Sequence, residues 1–446
     1  MIKGNRKIIN AWALYDWANS VYPLVITSTI FPIYYTAVTT GLHTDEVIFL
    51  GMSVKNTSLY SYSLSFSFLL VAILSPLLSA IADYSGNKKA FMKFFCYLGS
   101  ISCSSLFFFK SEAQLSLGII AFVLAGIGFA GSIVFYNAYL PEIAEPKDQD
   151  RVSAKGFALG YIGSSLLLIF NLTMVLFPNL YGITDKSLPA RIAFLTVGIW
   201  WIGFAQITFY FLPKTEYNRR PQKDLLTKGY KELKKVWREL KHTRRLKTFL
   251  FSFFFYNMGV QTVMYVAALF GDKELKMESG QLIATVLIIQ FVAIAGAYFF
   301  SHFSKIYGNT QSLNLAIIIW IGVCIGAYFV YTPQGFYVIA FIVGLVMGGI
   351  QSLSRSTYSK LLPETRDHAS YFSFYDVCDK VGIVVGTAMY GFIEALTGSM
   401  RSSIIALTGF FVLGFILLLR IPGKPHVFVR RRIRKLKKYR PLLKYR

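Results

Sequence analysis

Twelve apolar segments, each about 20 residues or longer, constrain the fold of this chain more than any other feature. In lipid, a segment of this length must satisfy its own backbone hydrogen bonds, so each is predicted to be a helix. With 54% hydrophobic and 15% charged residues, the chain carries more apolar surface than a water-soluble domain can cover. We therefore predict an all-α polytopic membrane protein. The predicted spans lie near residues 10–37, 58–82, 90–109, 114–141, 153–178, 190–212, 248–270, 280–303, 312–331, 334–361, 371–396 and 402–420.

The chain also contains an internal repeat. The triplet Leu-Pro-Glu that ends at Glu142 returns at Glu364, and the pattern S-x-x-x-D-x-x-G-N from Ser79 is echoed from Ser301, in both cases 222 residues later. We infer two six-span halves, residues 1–212 and 248–420. Two copies in parallel order, rocking about a shared central site, are the plan of many secondary transporters.

Positive charge is concentrated in two segments. The net charge is +24, and many of the basic residues lie in the linker 213–247 and in the tail 421–446. The positive-inside rule places both segments and both termini in the cytoplasm, on a multi-pass inner-membrane protein. For the tail, contact with anionic lipid headgroups is favoured over protein docking, and nucleic-acid binding is disfavoured. The pattern of the linker fits an amphipathic helix on the membrane surface. A simple tether that links the two halves is the more complete explanation.

No motif indicates an enzyme, a cofactor or a metal site. The four cysteines, Cys96, Cys103, Cys324 and Cys378, lie inside apolar runs and are interpreted as packing residues. The phosphate loop of a primary pump is absent, as are the H-E-x-x-H and G-x-S-x-G motifs of hydrolases.

Ionisable residues inside spans are costly and need an explanation, and span 11 holds most of them. Asp376, Asp379 and Lys380 come early in it and Glu394 comes late. Asp376 and Glu394 are five helical turns apart and share a face, on which Asp376 can pair with Lys380 at i, i+4. A structural ion pair and a working one fit this pattern equally well.

Spans 1 and 7 add polar residues. Asp16 and Asn19 recur at helical spacing on the face that carries Pro23, which can break a backbone hydrogen bond. Asp16 is interpreted either as a carboxylate that handles a proton or a solute, or as a hydrated residue near the surface. In span 7, Asn257 and Gln261 are suited to hydrogen bonding a polar solute.

Span 10 ends with Gln351 and Arg355 on a glycine-rich face. The planar guanidinium matches a carboxylate or a phosphate. We predict that Arg355 acts with the span 11 carboxylates, Asp376 or Asp379, and Glu364 is a further candidate for a gate salt bridge. Direct binding of a solute is the alternative.

The loop between spans 2 and 3 carries Asp83, Gly86, Lys88 and Lys89 in the spacing D-x-x-G-x-K-K. This loop resembles the signature of the major facilitator superfamily, with Ser79 and Tyr84 at positions where the signature has glycine and a basic residue. The resemblance implies that Asp83 braces the cytoplasmic start of the eleventh helix in the outward-facing state.

Further segments resemble the fungal vacuolar amino-acid effluxer-like family and its bacterial relatives: WALYDWANS at 12–20, YNAYLPEIA at 136–144, GFALGYIG at 156–163, GGIQSLSRS at 348–356 and FSFYD at 372–376. The chain has Met258 where relatives tend to carry an acid. The resemblance implies export of a small solute, amino acids in the fungal case. We expect a secondary transporter that works as a monomer, with a proton or sodium ion as candidate coupling ion. A proton-coupled uptake carrier and a transport-inactive sensor are the alternatives.

Overall fold

The computed structural model describes residues 3–40, 46–213 and 225–421. Twelve helical segments in these ranges are long and apolar enough to cross a membrane, as the sequence predicts. They are numbered here as spans 1 to 12: Arg6–Thr39, Asn56–Ser85, Lys88–Phe108, Glu112–Ile143, Gln149–Leu176, Leu188–Phe211, Arg244–Leu275, Ser279–Tyr307, Asn309–Phe329, Pro333–Leu361, His368–Thr397 and Met400–Leu419.

Span 1 is the most irregular of these segments. It consists of an α-helix Arg6–Asn19, a π-helix Tyr22–Ile30 and a second α-helix Phe31–Thr39. The change follows from Pro23, which has no N–H to donate to the helix ladder. The Thr29 hydroxyl donates to the Leu24 carbonyl five residues earlier, at 2.7 Å, which fits the wider turn.

Short elements complete the described ranges. An antiparallel hairpin of Glu46–Phe49 and Met52–Lys55 follows span 1. Both residues of its loop, Leu50 and Gly51, have positive φ, as a tight two-residue hairpin turn requires. One-turn helices lie at Leu106–Phe108, Glu112–Gln114, Leu140–Ile143 and Pro178–Tyr181.

The spans pack in a pattern that follows the repeat. Span 2 packs on span 11, and span 8, its repeat partner, packs on span 5. Spans 8 and 10 approach most closely because both contribute glycines. A Cβ on Gly348 would lie 2.0 Å from the Ala293 carbonyl oxygen, and one on Gly296 would lie 2.0 Å from that of Leu345. Close helix contact through small residues is the usual way to stabilise helix pairs in lipid.

The bundle has two distinct ends. We call the end with residues 86–87, 144–148, 308 and 362–367 the linker end, and the end with the hairpin the hairpin end. The N-terminus lies at the linker end, where the Gly4 N–H donates to the Ile143 carbonyl at 2.9 Å.

The linker helix, Leu225–His242, lies across the linker end and packs on span 2. Val236 and Leu240 are buried, and the Trp237 ring lies 5.6 Å from the ring of Phe374 in span 11. The Tyr371 hydroxyl of span 11 donates to Glu239 at 2.8 Å. The prediction of a helix is confirmed, and the protein covers Val236 and Leu240 of its apolar face, while Trp237 is half-exposed. The tail 422–446 lies outside the described residues.

Candidate functional site

A buried ion pair joins the two halves of the chain. Arg355 of span 10 donates from both terminal guanidinium nitrogens to Oδ2 of Asp16 in span 1, each at 3.1 Å. The two residues are only 3% and 5% exposed. Arg355 lies about 9 Å from the linker end of its helix and Asp16 about 15 Å from the start of span 1, at 1.5 Å per residue.

Spans 4 and 5 build the cradle for this pair. Ser153 of span 5 accepts from Arg355 through its hydroxyl and its carbonyl, both at 2.9 Å, and Asn137 of span 4 accepts at 3.4 Å. The Tyr136 hydroxyl donates to Asp16 at 2.8 Å. The guanidinium also lies 4.2 Å from the centre of the Phe157 ring, a cation–π contact. Gly156 makes room, because a Cβ there would lie 2.4 Å from Oδ2 of Asp16.

The predicted partner of Arg355 is therefore wrong. Span 10 packs on spans 5, 8 and 9, whereas span 11 packs mainly on spans 2, 7 and 12. Arg355 accordingly faces Asp16, and Asp376 and Asp379 pair instead with Lys380 of their own helix. The sequence indicates which face of each helix is polar, but it does not indicate which helix that face meets.

The loop between spans 2 and 3 makes the contact that the resemblance implies. Asp83 accepts hydrogen bonds from the backbone N–H groups of Ala369 and Ser370, at 3.2 and 2.7 Å, and from the Ser370 hydroxyl at 2.7 Å. A carboxylate at a helix N-terminus satisfies free N–H groups and complements the helix dipole. Asp83 thus caps span 11 from the other half of the chain. Gly86 follows with a φ of +69°, which ends span 2.

The two lysines of the loop have separate partners. Lys88 forms a salt bridge with Glu142, whose carboxylate also contacts Nδ1 of His368 at 2.8 Å. Lys89 donates to the Leu212 carbonyl at 2.5 Å. Glu142 belongs to the repeated Leu-Pro-Glu triplet. The repeat therefore singles out this residue in the sequence but does not predict which residues it contacts.

A second contact between the two halves was not predicted from the sequence. Asp150, at the start of span 5, accepts from Lys360 of span 10 at 2.5 Å and from Ser304 of span 8 at 2.8 Å. Asn309, the first residue of span 9, donates to Asp150 at 2.8 Å and accepts from Lys360 at 3.0 Å. The internal repeat, which matches Asn309 to Asn87, was the sequence signal that could have indicated this contact.

Contacts deeper in the bundle also join the two halves. The Tyr161 hydroxyl of span 5 donates to Gln351 at 2.7 Å, and the Ser153 hydroxyl donates to the Ser352 carbonyl at 2.8 Å. All the cross-half hydrogen bonds described here lie toward the linker end. The arrangement closes that end between spans 5 and 10 and between spans 2 and 11.

A second cluster of charged side chains lies in span 11, next to polar residues of span 7. Lys380 donates to Oδ2 of Asp379 at 2.6 Å and lies 3.5 Å from Oδ1 of Asp376. Asn257 and Gln261 donate to Oδ1 of Asp379 at 2.7 and 3.1 Å. The structure thus brings together five of the predicted site residues.

Two predicted site residues remain apart from this cluster. Asn19 is buried, and its Nδ2 has no hydrogen-bond partner among the described residues. Glu394 lies on the face of Asp376, but about 27 Å further along span 11 at 1.5 Å per residue. A shared face therefore does not give these two acids a shared site.

Outside the spans, the linker helix makes a charged contact with Asp367, the residue just before span 11. Lys235 donates to Glu232 at 2.7 Å and to Asp367 at 2.9 Å. These bonds, with the one to Glu232 first, raise the pKa of the Lys235 ammonium. Within residues 3–40, 46–213 and 225–421, no group of three or more His, Cys, Asp or Glu side chains could hold a metal ion.

Comparisons with known proteins identify the family. A family model described as "Vacuole effluxer Atg22 like" matches residues 4–424. The MFS-type transporter YxiO of Bacillus subtilis is 31% identical, over 95% of this chain and 96% of that protein. Autophagy-related protein 22-1 of Aspergillus terreus is 24% identical, over 86% of this chain and 76% of its own length.

A solved structure supports the fold. The crystal structure of FucP, a major facilitator superfamily transporter in the outward conformation, superposes with a TM-score of 0.68. The match covers 94% of this chain and 98% of FucP at 10% identity, and so bears on the fold alone. The matching family is described as an effluxer family, and YxiO and FucP are described as transporters, not as enzymes.

Proposed function

Since this chain belongs to the vacuole effluxer Atg22-like family of the major facilitator superfamily, we propose that it exports a small polar solute by alternating access. An amino-acid-like solute is the first candidate. A secondary carrier of this kind needs a site reached from one side at a time, with a gate that closes the other side.

The closure at the linker end carries this proposal. Asp83 reaches span 11 and Asp150 is reached from spans 8 to 10, so each half contacts the other through related loops. The buried Arg355–Asp16 pair lies beneath both contacts. Because these bonds all cross between the halves at one end of the bundle, they break together when the halves rock apart at that end.

The cluster of spans 7 and 11 supports a polar solute. Asp379 and Lys380 offer charges of both signs within 2.6 Å of each other, and Asn257 and Gln261 add neutral amides. Charges held at this depth are expensive in lipid and are characteristic of solute or ion pathways. A proton or sodium ion remains our candidate for the coupling ion.

We also propose an orientation in the membrane and an oligomeric state for the carrier. Both termini and the linker helix lie in the cytoplasm, and the protein works as a monomer organised as two six-span bundles. Lys231, Lys234, Arg238 and Lys241 are exposed on the linker helix, where they suit anionic headgroups.

The test is transport by the purified protein. A thermal-shift screen with amino acids first identifies a stabilising solute, because a ligand of the folded state raises apparent stability. Counterflow of that solute in proteoliposomes should then saturate and accelerate when solute is present on the trans side. Release from preloaded right-side-out vesicles tests the direction. Stabilisation without any counterflow would favour a transport-inactive sensor, and protein-free liposomes are the control.

A further inference from the structure

The charges of the span 7 and span 11 cluster do not balance. Asp379 and Lys380 neutralise one another at 2.6 Å. Both oxygens of Asp379 are occupied, Oδ2 by Lys380 and Oδ1 by Asn257 and Gln261. Asp376 is thus the second acid beside one cation, and its closest approach to Lys380 is 3.5 Å.

Asp376 is buried and incompletely bonded. It is 3% exposed, and its Oδ2 accepts no hydrogen bond from any described residue. A buried carboxylate oxygen without a donor is uncommon, because burial removes the water that would otherwise bond it.

The helices around Asp376 supply no other cation at its depth. Span 11 packs on spans 2, 4, 7 and 12. Span 4 has no charged residue between residues 115 and 137, span 2 has only Asp83, and span 7 has none between residues 248 and 271. In span 12 the one charged residue is Arg401, which pairs with Glu274. Arg355, the other buried cation nearby, is already paired with Asp16.

The cluster lies where a solute could meet both halves. Lys380 is 5.5 Å from the centre of the Phe68 ring of span 2, so this face of span 11 is turned toward the first half. The buried Asn19 amide of span 1, which also lacks a partner, shows that polar groups of both halves are left unsatisfied in the interior.

We propose that Asp376 binds a positively charged nitrogen of the transported solute, and that the carrier selects solutes with a net charge of +1. The inference rests on the proposed function and adds a substrate class to it. A monocation brings the site to neutrality, whereas a neutral solute leaves one buried negative charge uncompensated. Lys380 stays with Asp379 and repels a second cation, which favours a single charge.

Binding to the purified full-length protein tests the charge preference directly. The probes are matched pairs of similar shape: L-arginine and L-citrulline, L-lysine and L-norleucine, butylammonium and butanol. We expect a saturable rise in thermal midpoint with at least one cationic member, and a much smaller rise with its neutral counterpart. The same response to both members of each pair, or no response to any cation, would overturn the inference without any mutant.

A variant pair assigns the effect to Asp376. Asp376→Asn keeps the shape of the side chain and should weaken binding of the cation by roughly tenfold to a hundredfold, as loss of a charged hydrogen bond does. Asp272→Asn makes the same change at an exposed acid of span 7 and should leave binding unchanged. Equal binding by wild type and Asp376→Asn refutes the assignment.

Transport separates this inference from the proposed function. Counterflow that does not discriminate the paired solutes by charge would retain the carrier and reject the role of Asp376. Charge-selective binding without counterflow of the bound probe would retain the site and reject the carrier.

Discussion

Replacing Arg355 with lysine should open the linker end of the bundle. Arg355 makes five hydrogen bonds, all to spans 1, 4 and 5. A lysine has one nitrogen with three donors and cannot reach Asp16 and both Ser153 acceptors in the same geometry. We expect it to keep the contact with Asp16 and to lose those with Ser153.

The cost follows from the lost contacts. The Ser153 carbonyl keeps its helical N–H donor but loses the charged donor from Arg355, and a hydrogen bond to a charged group contributes about 1.5–3 kcal/mol. Loss of the guanidinium contact over the Phe157 ring adds about 0.5–1 kcal/mol. A total of about 2–4 kcal/mol shifts the equilibrium between closed and open linker ends by roughly 30- to 700-fold.

Spin labels report this shift without a known solute. Cysteines at Arg151 and Lys305 lie in opposite halves, each next to a residue of the Asp150–Ser304 hydrogen bond, so their labels should be close in the wild type. Electron–electron double resonance should show a longer distance in Arg355→Lys. The matched control is Arg401→Lys, because Arg401 pairs with Glu274 inside one half and should not affect this distance.

The partner is tested in the same experiment. Arg355→Ala leaves Asp16 unpaired and should destabilise the fold by about 3–5 kcal/mol, and adding Asp16→Asn should recover part of that loss. A wild-type distance in Arg355→Lys, or no recovery in the double variant, would refute the reasoning that this pair holds the halves together.

Three further outcomes are expected. Gly156→Ala should open the linker end and lower the thermal midpoint, since its Cβ would lie 2.4 Å from Asp16, whereas Gly391→Ala, in open space, should do neither. Asp83→Asn should lengthen the same label distance while the purified protein stays monodisperse; an unchanged distance would remove Asp83 from the gate. In intact cells, a single cysteine at Lys3 should resist an impermeant thiol reagent and one at Thr44 should react, and the reverse pattern would invert the proposed topology.

The sequence predicted the spans because lipid fixes their length and polarity. The resemblance of the span 2 to 3 loop to the superfamily signature also implied the Asp83 contact, which the structure shows. The pair Asp376–Lys380 followed from helical spacing, and the structure places these groups 3.5 Å apart. Each of these predictions depends on residues that are close in sequence or on a motif whose partner is known from the resemblance.

Contacts between distant helices could not be predicted in the same way. Arg355 and Asp16 are 339 residues apart, and their pairing depends on span 10 facing span 5 instead of span 11. The linker helix showed its apolar face in the sequence, but Val236 and Leu240 can be buried equally well by lipid or by protein. Periodicity indicates that a face is apolar or polar, and packing decides what covers it.

The Asp83 and Asp150 contacts between the halves show how the halves diverged after duplication. In one, the acid lies in the last turn of span 2, as Asp83, and the helix start of span 11 supplies the donors. In the other, the acid lies at the start of span 5, as Asp150, and Asn309, the first residue of span 9, supplies a donor. Exchange of donor and acceptor between the copies means that positions 150 and 309 constrain each other during evolution. Descendants of this gene that lose the acid at one position are expected to change the other in the same lineage, while positions 83 and 370 form an independent covarying pair.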